Sequence, residues 1–152
     1  MALFALATAV CCGGSSEPAK DPSHGKLTKG EQCLKDAAMP RPLGPGAPDR
    51  IEVAHILVRH DGLKDPQGAT RSPEEACLWA LAALEKLKSG GDWDEVVDKY
   101  SDAPGETHGS LGYVSQGDVD PKFADAAFSL DVNELSYVVE TSRGFHIILR
   151  TD

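Results

Sequence analysis

GFHIILR stands at residues 144–150, and AHILVR at residues 54–59. Each is an apolar, strand-like run that carries a single histidine just before its most hydrophobic residues. A histidine inside such a run must be hydrogen-bonded or functional, because an unpaired buried imidazole carries a desolvation penalty. His55 and His146 are therefore the first residues to account for.

Around His55 the alternation is clear. Ile51, Val53, His55 and Leu57 share one face of a strand, and Ala54, Ile56 and Val58 lie on the other. Both faces are largely apolar, which reads as a central strand covered on each side. After the polar loop HDGLKDPQGATR, the segment SPEEACLWALAALEKLKSGG predicts a helix. Ser72 caps it, Pro73 suits its first position, Glu75 completes a capping box, and Gly90 or Gly91 ends it. Cys77, Leu81, Leu84 and Leu87 or Lys88 recur at helical spacing and define its buried face. A second helix follows Asp92, with Trp93, Val96, Val97 and Tyr100 on one side.

The Gly-rich stretch SDAPGETHGSLGYVSQGDVD holds one short strand, Leu111 to Ser115. Asp120 then caps a short third helix with Pro121 at its first position and Phe123, Ala127 and Phe128 on one side. LDVNELSYVVET and GFHIILRT read as two strands separated by the turn-like TSRG. The order strand, helix, helix, strand, helix, strand, strand predicts an α+β domain. Its small sheet carries the helices on one face and leaves the other for a ligand.

Ahead of this domain, residues 13–49 read as a Pro/Gly-rich, largely disordered linker, since PRPLGPGAPD alone places four prolines in ten positions. A short helix around Glu31 to Met39 has only Leu34, Ala37 and Ala38 to give it a face. Residues 1–12 resemble a signal or lipoprotein segment: MALFALATAVCC is apolar and ends in small residues and two cysteines. Cys12 or Cys11 is the lipidation candidate, and the expected location is exported, periplasmic or membrane-anchored. Without a functional signal the location is cytoplasmic. None of the four cysteines has C-x-x-C spacing, so no zinc or redox motif is present. Cys77 reads as a small buried hydrophobe. A Cys33–Cys77 disulfide is allowed in an oxidising compartment, but nothing in the sequence indicates one.

Charge is uneven along the 152 residues. Residues 1–48 hold five Lys/Arg against four Asp/Glu, and residues 49–152 hold ten against twenty. An acidic domain lacks the footprint that neutralises phosphates, so nucleic acid is excluded as a partner, and a polypeptide suits it better. No apolar run reaches the roughly 18 residues of a membrane span, so membrane contact is expected only through an N-terminal lipid.

In order and spacing, HILVRH, TRSPEEA, LKSGGDWDEVVDKYSDAPG, GSLGYVSQGDVDPKFADAAFSL and GFHIILRTD resemble the parvulin family of peptidyl-prolyl cis-trans isomerases. The resemblance covers about residues 50–152. It implies a four-stranded antiparallel sheet with about three to four helices, the first and last strands adjacent at its centre. His55 and His146 then face each other in a network joined by Thr141, which either holds the sheet or acts in catalysis. It also implies a proline pocket of Leu111, Val119 and Phe123, with Val119 smaller than the family's methionine. Asp120 matches a position often held by glutamine, although its helix-cap role is the sounder inference.

Rotation about an X-Pro bond faces a barrier of about 18–20 kcal/mol and takes tens to hundreds of seconds unaided. No bond breaks. A pocket that grips the proline ring, excludes water and holds the rotating carbonyl is sufficient in principle. Ala103 departs from the family pattern, where cysteine or aspartate is common, and it supplies neither a nucleophile nor a negative charge. Family members that require phosphoserine carry a basic cluster after the first strand. Here Arg59, which is a candidate substrate contact, Lys64 and Arg71 are diluted by Asp61 and Asp65, which implies phosphate independence. The expected substrates are proline-containing unfolded or extended polypeptides, and the expected role is in folding exported proteins. The competing reading is a catalytically weak peptide-binding module. No cofactor is expected, and a metal site fails because the histidines come singly, without ligand spacing.

Overall fold

Two strands with isoleucine-rich interiors find each other across most of the chain. In this computed structural model, which describes residues 26–152, β1 (Arg50–Val58) pairs antiparallel with β4 (Gly144–Arg150). The register runs from Val53 opposite Arg150 to Val58 opposite Phe145. β2 (Ser110–Ser115) flanks β1 and β3 (Val139–Thr141) flanks β4, giving the order β2-β1-β4-β3.

Strand alternation divides the apolar side chains between two cores. Ile56, Val58, Phe145 and Ile147 enter one with α2 (Pro73–Lys88) and α3 (Trp93–Tyr100). Ile51, Val53 and Ile148 enter the other with α4 (Pro121–Ala127). The expected placement of every helix on one face is thereby corrected: α4 covers the second face. The reason lies in β1 and β4 themselves, which are apolar on both sides, so one helical layer leaves half of their isoleucines and valines wet.

The predicted caps are in place. Ser72 Oγ accepts the Glu75 N–H at 3.2 Å while Glu75 accepts the Ser72 N–H at 2.8 Å, and Asp92 accepts from Glu95 at 3.1 Å. Ala76, Cys77, Ala80, Ala83 and Leu84 form the buried face of α2, with Leu81 and Leu87 half-buried at its margins. The second-to-last strand is shorter than predicted. Only Val139–Thr141 pairs regularly, because the chain turns at Asp131–Glu134 with Asn133 left-handed (φ 66°). Farther along, Ser136 links to β4 through its own N–H and hydroxyl.

Residues 13–49 were expected to be largely disordered linker with a weakly patterned helix around Glu31 to Met39; Lys29–Ala37 forms that helix, α1, and packs on α2. A Thr28–Glu31 capping box opens it, and Cys33 forms a disulfide with Cys77. Cys77 is thus a cross-link rather than a plain buried thiol. Beyond α1 the Pro-rich segment is extended but anchored: Arg41 stacks on the Tyr137 ring, and Leu43 and Ala47 pack against the second core. The lipoprotein-like segment, with Cys11 and Cys12, lies outside the described residues. No described helix is long and apolar enough to cross a membrane.

Cross-linking residues 44 apart removes loop entropy from the unfolded chain, which is worth about 2–4 kcal/mol. Thermal melts should show the Cys33→Ser variant destabilised to that extent, and reductant should shift the native chain but not the variant. Coincident melts of native and variant chains contradict a stabilising α1 staple.

Candidate active site

The β1–β4 register sets His55 opposite Ile148 and His146 opposite Leu57, so the two histidines are diagonal neighbours on one face. Their rings stack at 19° with centroids 5.3 Å apart, and Nδ1 of His55 lies 3.1 Å from Nδ1 of His146. Thr141 Oγ1, from the end of β3, stands 2.8 Å from His146 Nε2. The hydroxyl also accepts the Arg143 N–H at 3.1 Å. His146 and Thr141 are buried, and His55 is half-buried. Neither ring is an orphan in its apolar strand.

Both imidazoles are held neutral. Burial, with the neighbouring Arg143 and Arg59 guanidiniums, pushes the His55 pKa from 6.5 down to about 4. His146 is driven well below its ordinary value by burial first, then by His55, Arg143 and Arg59. Two neutral rings meeting Nδ1 to Nδ1 share one proton, and the remaining distances order it. The Thr141 hydroxyl has His146 Nε2 at 2.8 Å and the Gly144 carbonyl at 3.4 Å, so we assign its proton to Nε2. His146 Nδ1–H then donates to His55 Nδ1. His55 is left with Nε2–H, which has no partner among the described residues and is not sealed from solvent.

Phe123 on α4 stands edge-on to both rings, its centroid 5.3 Å from His146 and 5.9 Å from His55. It is 3% exposed and belongs to the second core, on which Val119 also packs. Leu111 reaches the surface by a different device. Val53 pairs with Gly112 and Ala54 with Ser110, so Leu111 is the extra residue of a β-bulge and is 43% exposed. Gly112 takes the left-handed conformation (φ 64°) that the bulge requires. Asp120 caps α4 by accepting the Lys122 N–H at 2.9 Å, and it takes the Ser142 hydroxyl at 3.4 Å. That second bond ties the start of α4 to the β3–β4 turn.

The SDAPG loop is pinned to β1. Ser101 Oγ accepts the Leu57 N–H at 3.1 Å, the Asp102 N–H reaches the Leu57 carbonyl at 2.7 Å, and the Ala103 N–H rests on Ser101 Oγ at 3.3 Å. Asp102 also gathers the arginines. Its carboxylate accepts from the Arg59 backbone at 2.7 Å and from Arg71 at 2.9 and 3.0 Å, while the Arg59 guanidinium donates to its carbonyl at 2.9 Å. Arg59, expected to contact substrate, is therefore engaged with Asp102. Sequence reasoning missed the roles of Asp102 and Arg143, since loop residues carry no periodic signal.

Removing one member of the network leaves a buried partner unsatisfied, at about 1–3 kcal/mol. His146→Ala and His55→Ala should each lower stability by that much in denaturant melts. In the unfolded chain these histidines protonate near 6.5, whereas in the fold they resist protonation. Their stability is complete above pH 6.5 and declines as pH falls toward about 4. The decline should be shallower in either variant, and an unaltered melt and pH profile in both contradicts the network.

A profile described as the PPIC-type PPIASE domain matches residues 39–152, beginning inside the segment read as linker. The peptidyl-prolyl cis-trans isomerase Pin1 of Arabidopsis thaliana is 32% identical over 114 residues, spanning 68% of this chain and 96% of that one. Foldase protein PrsA of Halalkalibacterium halodurans is 35% identical over 104 residues, which is 67% of this chain but 26% of that protein. Among solved structures, peptidyl-prolyl isomerase ESS1 from Candida albicans superposes with a TM-score of 0.64 at 30% identity, covering 72% of this chain and 66% of that one. The matched profile, the four-stranded antiparallel sheet and the relatives agree, and the chain belongs to the parvulin-type family of peptidyl-prolyl cis-trans isomerases.

Proposed function

We propose that this isomerase acts on unphosphorylated X-Pro bonds in extended polypeptides and assists the folding of exported proteins. The observation that carries phosphate independence is Asp102. Its carboxylate pairs with Arg71 and accepts the Arg59 backbone N–H, so a phosphate arriving there meets Arg71 already paired and a carboxylate in its path. Two observations support an oxidising compartment: the apolar, cysteine-ended N-terminal segment and the Cys33–Cys77 disulfide. Similarity to a protein named foldase agrees with a folding role.

In this reading Leu111, Val119 and Phe123 grip the proline ring and keep water from the imide. The rotating bond loses amide resonance as its nitrogen becomes pyramidal, and the lone pair gained there is a hydrogen-bond acceptor. His55 Nε2–H is the neutral donor available to it or to the displaced carbonyl oxygen. Such bonds, stronger in the twisted state than in the planar one, lower the barrier without covalent chemistry. Ala103 therefore reduces the rate rather than abolishing it. A peptide-binding module is the second reading, and the methyl of Ala103 is the feature that favours it.

NMR exchange on matched Ser-Pro, phosphoserine-Pro and Leu-Pro peptides tests this with the full chain. Acceleration of the unphosphorylated peptides, with no gain from phosphate, is expected, and Ala103→Asp and Ala103→Cys should turn over at least as fast as the native chain. Leu111→Ala should lose turnover while melting like the native chain, because Leu111 is exposed. Phe123→Ala is the poorer probe: its burial makes a stability loss of about 3–5 kcal/mol the expected result. Binding without acceleration, restored by a substitution at Ala103, overturns the enzyme reading, and a strict phosphate requirement overturns the assignment of Asp102.

A further inference from the structure

Among twenty acidic side chains in residues 49–152, a cation beside the site that none of them pairs with needs an explanation. Arg143, in the β3–β4 turn, is exposed, and among the described residues its guanidinium makes neither an ion pair nor a hydrogen bond. The turn is rigidly placed. The Arg143 N–H is held by Thr141 Oγ1 at 3.1 Å, and Ser142 bonds to Asp120 at the start of α4. Gly144 packs so closely on Val58 and Arg59 that any Cβ there would strike the Val58 carbonyl, and its φ of 130° suits glycine alone.

Arg143 is thus seated between the end of β1 and the helix that carries Phe123, one hydrogen bond from the Thr141–His146 network. It is near enough to act electrostatically on both imidazoles. The other cation felt by both rings, Arg59, has its guanidinium on the Asp102 carbonyl. Of the two, Arg143 is the one whose guanidinium has no hydrogen-bond partner among the described residues. A single guanidinium matches a single carboxylate in bidentate geometry.

We propose that Arg143 is a specificity-determining residue of the isomerase, favouring polypeptides with an unphosphorylated Asp or Glu adjacent to the target proline by pairing with that carboxylate at the rim of the site. This deepens the proposed function and rests on it. The pair is solvent-exposed, so the preference is modest, about two- to fivefold, and it weakens with salt.

The test uses the full chain with Arg143→Gln, Arg143→Lys and Arg143→Glu. Peptide pairs differ only in Glu or Gln, placed immediately before or immediately after the proline. Both kcat/KM from NMR exchange and Kd from shift titration are read. The native chain should favour Glu over Gln about two- to fivefold at one of the two positions at low salt. Arg143→Lys should keep part of that ratio, Arg143→Gln should remove it, and Arg143→Glu should invert it. A ratio of one at both positions in the native chain, or a ratio unchanged in Arg143→Gln, overturns the proposal. Absence of all turnover sinks the isomerase reading instead, and the Glu-to-Gln ratio of Kd then still decides the role of Arg143.

Discussion

The register of β1 against β4 is the constraint on which the site depends. Side chains alternate along both strands, so a slip of one residue sends His55 into the core of α2 and α3 and brings Ile56 out to replace it. Burial of Ile56, Val58, Phe145 and Ile147 on one face, and of Ile51, Val53 and Ile148 on the other, makes that slip prohibitive. The apolar residues thus hold two histidines in hydrogen-bonding range, which their own attraction could not achieve. In return the imidazoles need each other and Thr141, because a buried ring without a partner is costly.

The same burial decides the chemistry. Two charged rings with their Nδ1 atoms 3.1 Å apart would repel, and a dry environment penalises the charge further, so the pair is neutral and works as an ordered chain of donors and acceptors. Rotation about an imide bond asks for no more than this. It breaks no bond and needs no strong base, so an apolar ring at 5.3 Å and a neutral N–H are appropriate equipment. Asp102 contributes by pairing with Arg71 and accepting the Arg59 backbone N–H, which fixes the SDAPG loop to β1, while the Arg143 guanidinium near the rings has no partner among the described residues.

The parts of this arrangement written in periodic patterns were legible in the sequence. The alternation through Ile51–Val58 and the caps Ser72, Asp92 and Asp120 report local geometry, whereas the facing of His55 and His146 follows only from the family resemblance. What was not legible depends on contacts between distant or irregular segments. The Cys33–Cys77 bridge joins residues with no characteristic spacing, so nothing showed that the weakly patterned helix near Glu31 to Met39 docks on the domain. Val139–Thr141 is short because Asn133 and Ser136 divert the chain, and strand propensity is blind to that. The second-face position of α4 follows from the two-sided apolarity of β1, a clue present in the sequence but outweighed there by the usual one-sided α+β layout. Arg59 looked free because its partner, Asp102, lies in a loop without any pattern.

The neutral, ordered histidine pair is best tested by the imidazole nitrogen spectrum of the full chain across pH. His146 should appear as the Nδ1–H tautomer and His55 as the Nε2–H tautomer, with neither ring becoming imidazolium as pH passes down through 6.5. Either ring titrating near 6.5 on its own, or the reverse tautomer order, contradicts the network that the β1–β4 register builds.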